Sequence, residues 1–185
     1  EVEKYSQALN DELEKGREMQ LNFLPADEKI KCFADKYNWE IASFFKPARQ
    51  VAGDFYDIFE LNNSSVGFVI ADGHEPLFII SPDGEVKQQL ESTAPAVGML
   101  ANMDFPIRQI YLQPEEILIG YTDGVTEARN CDNEFFTDKR LLNLLEQPID
   151  SAQDLLNKIT TSIEEYTGNS EQFDDITILA LQRKI

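Results

Sequence analysis

Basic residues are scarce in this chain. Its 16 lysines and arginines stand against 34 aspartates and glutamates, a formal net charge of −18. Self-repulsion on that scale argues against nucleic acid and anionic membrane surfaces as partners, since both call for a basic footprint. It suits a protein that gathers cations, or one that is merely very soluble. Cysteine is also sparse: Cys32 and Cys131 are isolated thiols without metal-ligand spacing, so a reducing cytoplasm is the expected home. No apolar run approaches the roughly 18 residues of a transmembrane helix, and the N-terminus lacks signal-peptide shape, so no membrane insertion is expected. What remains is an ordinary globular balance, 42% hydrophobic and 27% charged over 185 residues, enough for one domain with a substantial core.

The opening segment, EVEKYSQALNDELEKGREMQLNFLP, reads as a helix. Val2, Tyr5, Leu9, Leu13, Met19 and Phe23 fall on or near one stripe, interrupted at Glu12 and Gly16 and ended by Pro25. Residues 1–25 are therefore expected to be a linker or coiled-coil-like helix, and 26–185 one domain. From Trp39 the pattern changes to strands: WEIASFF, DFYDIFEL and VGFVIAD, then a hairpin through Pro82-Asp83-Gly84. PIRQIYLQPEEILIGYTDG predicts two more strands around Gln113-Pro114. Helical periodicity returns in TDKRLLNLLEQ and SAQDLLNKITTSIEEYTG, with Thr137 and Ser151 as N-caps and Gly168 as a C-terminal stop. DITILALQ closes the chain as a buried strand. Strands joined by hairpins, with helices grouped elsewhere, predict an α+β sandwich.

Acidic residues recur at the ends of these strands: Asp54, Asp72, Asp123 and the pair Asp174-Asp175. Taken singly, Asp-Gly after a strand is most often a turn, and Asp-Asp before a strand is often a cap. Together, on one sheet edge, they would crowd like charges that cannot all stay ionised without cations between them. No His or Cys cluster accompanies them, so an all-oxygen site selects hard ions, Mg²⁺ or Mn²⁺. Two such ions, about 3.5–4 Å apart, could bridge a water, lower its pKa and clamp a phosphoryl oxygen. Phosphate-ester hydrolysis is the chemistry that arrangement serves best.

Five ordered stretches, PARQVAGDFYDIFEL, VGFVIAD, GHEPLFIISPDGEV, EILIGYTDGVTEARN and FDDITILAL, resemble the bacterial SpoIIE/RsbU-type branch of the metal-dependent protein phosphatase 2C-like (PPM) family. The preceding REMQLNFLP resembles the segment before the catalytic domain there. The resemblance implies an αββα sandwich, two antiparallel sheets packed face to face and flanked by helices. It implies two Mn²⁺ or Mg²⁺ ions and hydrolysis of phosphoserine or phosphothreonine on a protein by a metal-held water, with no covalent enzyme intermediate. Carried over, Asp54 serves one metal, Asp72 bridges both, and Asp123 and Asp174 hold the other. Ala52 stands where the family pattern has the first glycine of Gly-Gly-Asp, and Gly53 and Gly124 are expected to let the backbone turn beside the ligands. The implied partners are a phosphorylated regulatory protein of the anti-sigma-factor antagonist kind and an upstream sensor reached through the N-terminal helix, which also allows a homodimer.

One junction departs from the family pattern. After the strand ending in Asp72 the family continues into helices before a motif like GHEPLF; here Asp72 is followed directly by Gly73-His74. The expectation is a helical segment missing between 72 and 73, with His74 a loop residue of the later motif. VGFVIA is apolar on both faces and needs cover. The leading reading is a protein-serine/threonine phosphatase. The alternative is a catalytically impaired, phosphatase-like binding module for a regulatory partner; an acidic structural protein would explain the charge but not the ordered motifs.

Overall fold

The computed structural model describes residues 2–61, 65–71, 75–91 and 107–185. Its elements are α1 (Val2–Leu21), α2 (Asp27–Tyr37), β1 (Trp39–Lys46), β2 (Phe55–Leu61), β3 (Ser65–Ala71), β4 (Leu77–Ile80) and β5 (Val86–Leu90). Then follow β6 (Ile117–Tyr121), α3 (Asp123–Thr126), α4 (Asp138–Leu145), α5 (Ala152–Thr167) and β7 (Ile176–Arg183). The strands form an antiparallel five-stranded sheet in the order β1-β7-β6-β4-β5 and an antiparallel pair, β2-β3. The expected α+β class, with two antiparallel sheets and helices, is the architecture found.

Alternation along the central strands divides the interior in two. Ile176, Ile178 and Ala180 of β7 join Ile117, Ile119 and Tyr121 of β6 and Phe78 and Ile80 of β4 on one face. That face packs on α5, whose Ala152, Leu155, Leu156, Ile159 and Ile163 make the helical stripe. Leu179, Leu181, Leu118 and Ile79 point to the other face, where Tyr56 and Ile58 of β2 and Ile30 and Phe33 of α2 meet them. A strand such as β7, buried on both sides, reads as a continuous apolar run for this reason. Helices, the large sheet and the small sheet thus stack as layers.

β3 is different: none of its residues is buried. Val66, Phe68 and Ile70 pack inward, whereas on β2's outer side Phe59 is 39% exposed and lies across Gly67. The expected junction between 72 and 73 lies outside the described residues, as does His74.

Ser151 caps α5 as expected, accepting a hydrogen bond from the Asp154 N–H at 3.0 Å, and the Gly168 N–H closes its C-terminus on the Glu164 carbonyl. Two local expectations are corrected, and two features come from the structure alone. Thr137 precedes α4 but makes no side-chain cap. Residues 107–113 form no strand: Leu112 is buried, but Ile107 and Tyr111 stay exposed, and no strand among the described residues pairs with them. α2 was not foreseen; acids in its first turn, Lys36 in its last and the left-handed Asn38 at its end favour it. The apolar stripe of α1 faces away from the domain. Val2, Tyr5, Leu9, Met19 and Phe23 are exposed, and the half-buried line is Leu13, Gly16 and Gln20.

Candidate functional site

Sheet register brings the acidic segments to one edge. β6 ends at Tyr121, paired with Ile178, and β7 begins at Ile176, paired with Lys46 of β1. Asp123 therefore leaves the sheet beside the point where Asp174 and Asp175 enter it. The two segments are stitched together: the Thr122 N–H donates to the Thr177 carbonyl at 3.1 Å, and the Thr177 N–H donates to Thr122 Oγ1 at 3.0 Å. Gly124 packs against the Asp174-Asp175 backbone so closely that a Cβ there would overlap the Asp175 carbonyl oxygen. Neither Gly53 nor Gly124 has a positive φ; Gly53 sits at a bend, and Gly124, in the single turn of α3, serves close approach.

Asp54 comes from the segment before β2 and is buried, 1% exposed. Its Oδ2 accepts hydrogen bonds from Thr122 Oγ1 at 2.7 Å and Thr177 Oγ1 at 2.6 Å. Two hydroxyl donors, one just past β6 and one in β7, thus orient a carboxylate contributed by a third segment. Next to Asp54, Phe55 pairs with Ala71, the last residue of β3 and the one before Asp72. Asp72 itself lies outside the described residues.

The loop from Pro47 to Asp54 has no regular structure, and side chains fix its backbone instead. Asp175 accepts from the Ala48 N–H on Oδ1 at 2.6 Å and from the Gly53 N–H on Oδ2 at 2.5 Å. From the other side, Gln20 of α1 accepts from the Ala52 N–H at 2.8 Å and donates to the Ala52 carbonyl at 2.7 Å and, at 3.3 Å, to that of Asp54. Asp175 is thus a buried loop anchor. Asp174, half-buried, accepts from the Asp175 N–H at 2.8 Å and lines a cleft of about 130 Å³ with Lys46, Gly124, Arg129 and Phe173. Arg129 lies against the rings of Phe135 and Phe173, 4.9 and 3.8 Å from their centroids. Burial, with Glu75 and Asp138 nearby, pushes the Tyr121 phenol well above its ordinary value, so it stays neutral.

Of the four expected ligands, the segments bearing Asp54, Asp123 and Asp174 meet. Neither Asp174 nor Asp175 is ion-paired among the described residues. No three acidic, His or Cys side chains among the described residues come close enough to hold a metal by themselves. The donor chemistry fits hard divalent cations all the same, since every candidate is a carboxylate. Asp175, expected among the clustered carboxylates, serves as a loop anchor, whereas Thr122, Thr177 and Gln20 were not foreseen as parts of the site. One signal was available: a threonine buried within the apolar run ITILAL needs a hydrogen-bonding partner.

The family profile described as Stage II sporulation protein E (SpoIIE) matches residues 41–184. Protein IcfG of Synechocystis sp. is 29% identical over 268 positions, covering 93% of this chain and 41% of its own length. That span exceeds the 185 residues here, so IcfG carries residues without counterparts in this chain. Phosphoserine phosphatase RsbU of Bacillus subtilis is 27% identical, covering 71% of this chain and 38% of its own length. The chain thus spans well under half of either relative. The SiaA-PP2C domain of Pseudomonas aeruginosa superposes with a TM-score of 0.70 at 18% identity, covering 96% of this chain and 98% of that one. The chain belongs to the SpoIIE family, and it shares the fold of the SiaA-PP2C domain.

Proposed function

We propose that this domain is a metal-dependent protein-serine/threonine phosphatase acting on a phosphorylated bacterial regulatory protein of the anti-sigma-factor antagonist kind. The carrying observation is the convergence at one sheet edge: buried Asp54 held by Thr122 and Thr177, beside Asp123-Gly124 packed on Asp174-Asp175. Asp54, Asp123 and Asp174, with Asp72 following β3, would hold two Mn²⁺ or Mg²⁺ ions. The ions would supply positive charge for a phosphoryl oxygen and acidify an attacking water. Thr122 and Thr177 keep Asp54 in one orientation, and Asp175 keeps the adjoining loop in place. The relative whose name specifies phosphoserine supports that substrate class. An upstream sensor acting through α1, a homodimer and a cytoplasmic location belong to the same reading. No helix among the described residues is long and apolar enough to cross a membrane.

The alternative, an impaired binding module, draws on the short passage from Ala71 to Leu77 between the two sheets. Under the leading reading the natural polypeptide carries a further segment between Asp72 and Gly73, consistent with the longer IcfG alignment. Peptide mapping of the protein from its native source tests this: peptides that carry additional residues at that junction are expected, and a directly joined Asp72-Gly73 peptide contradicts it. Mn²⁺-dependent release of phosphate from a phosphoserine peptide separates enzyme from module.

A further inference from the structure

Gln20 sits on the half-buried face of α1, one turn beyond Gly16. Gly16 is where the helix comes close to the loop: a Cβ there would lie 3.3 Å from Val51 Cγ2. The Gln20 carboxamide then pairs with both the N–H and the carbonyl of Ala52, as a neighbouring strand would, and reaches the Asp54 carbonyl as well. These bonds bracket Gly53, whose N–H is held by Asp175. The segment bearing Asp54 is thus gripped from two sides, by α1 and by the start of β7, and has no regular backbone pairing of its own.

We propose that Gln20 is a positioning residue, whose carboxamide sets the 52–54 backbone and thereby places the Asp54 carboxylate for metal binding. The proposal rests on the metal-phosphatase reading. Groups that orient a metal-binding carboxylate without touching the metal commonly change affinity by about 10–100-fold when lost. A side chain that only packed a linker helix onto the domain would not have that effect.

The test compares the whole chain with Gln20→Met, which keeps the side-chain length and helix propensity but removes every hydrogen bond to the loop. Hydrogen exchange over residues 50–55 reads the grip directly, calorimetry with MnCl₂ alone reads metal affinity, and a melting curve reads global stability. Faster exchange confined to 50–55, Mn²⁺ binding weakened by about tenfold and a little-changed Tm are expected. Unchanged exchange would overturn the grip, and faster exchange spread over the whole chain with a large fall in Tm would reduce Gln20 to a packing residue. Local exchange with unchanged Mn²⁺ affinity would overturn the positioning role while leaving the metal-phosphatase reading intact. Failure of the unsubstituted chain to bind Mn²⁺ would overturn both.

Discussion

Gly124 rests its backbone on the carbonyl of Asp175, and no side chain larger than hydrogen fits between them. The obstacle is backbone rather than a flexible side chain, so it cannot rotate away. Gly124→Ala must push α3 from β7, and overpacking of that kind costs about 1–3 kcal/mol or more. Differential scanning calorimetry should show a Tm lower by about 2–4 °C for each kcal/mol in a chain of this size. An unchanged Tm would mean that the two segments are not in contact.

Thr177 is completely buried and donates to an equally buried Asp54. Thr177→Val preserves shape but removes that donor, leaving one fewer partner for a buried carboxylate. The expected cost is about 1–3 kcal/mol by urea unfolding. Thr177→Ser, which keeps the hydroxyl, should lie much closer to the original. Equal losses in the two variants would point to packing by the methyl group instead.

Glu40 links three elements at the far edge of the sheet. It lies in β1, meets Lys184 Nζ at 2.8 Å and accepts from the Gln153 N–H in the first turn of α5 at 2.9 Å. Burial raises its carboxyl pKa, but Lys184, the Gln153 N–H and Ser151 outweigh burial and hold it below the ordinary 4.5. A carboxylate depressed on folding contributes stability above its unfolded pKa and loses it as pH falls through the folded value. Glu40→Gln should therefore be less stable than the original at pH 7. The gap should close as pH drops from 4.5 through the lower folded value. Urea titrations at pH 7 and pH 3 check this; a gap that does not narrow between them would contradict it.

The sheet was largely legible because its strands carry their burial in their pattern. ITILALQ and ILIGY are apolar on both faces, and the aspartates flanking them are polar residues at places where a buried strand must end. α2 was not legible: DEKIKCFADKY offers little apolar periodicity, and its N-cap is Ala26 with no side-chain bond. The bonds that organise the site were hidden for another reason. Gln20 reaches 32 residues along the chain, Thr122 reaches 68 and Thr177 reaches 123 to their partners. Local pattern carries no trace of such pairings. Gly16 read as an interruption of the α1 stripe, whereas it lies on the face turned toward Val51.

Asp123 opens α3, and its carbonyl accepts from the Glu127 N–H and Thr126 Oγ1. Asp123→Asn leaves those backbone bonds and the side-chain shape in place but weakens an oxygen-ligand site, because a neutral amide holds a divalent ion less well than a carboxylate. Phosphate release should fall by orders of magnitude at fixed Mn²⁺. Retention of full activity would remove Asp123 from the ligand set.

Phosphate release from a phosphoserine peptide, followed before and after chelation, tests the central claim most directly. The account predicts turnover with Mn²⁺, its abolition by EDTA and its return when Mn²⁺ is added in excess. Full activity in EDTA would contradict the metal-dependent mechanism, and binding of the phosphopeptide without turnover at any Mn²⁺ concentration would make the domain a binding module.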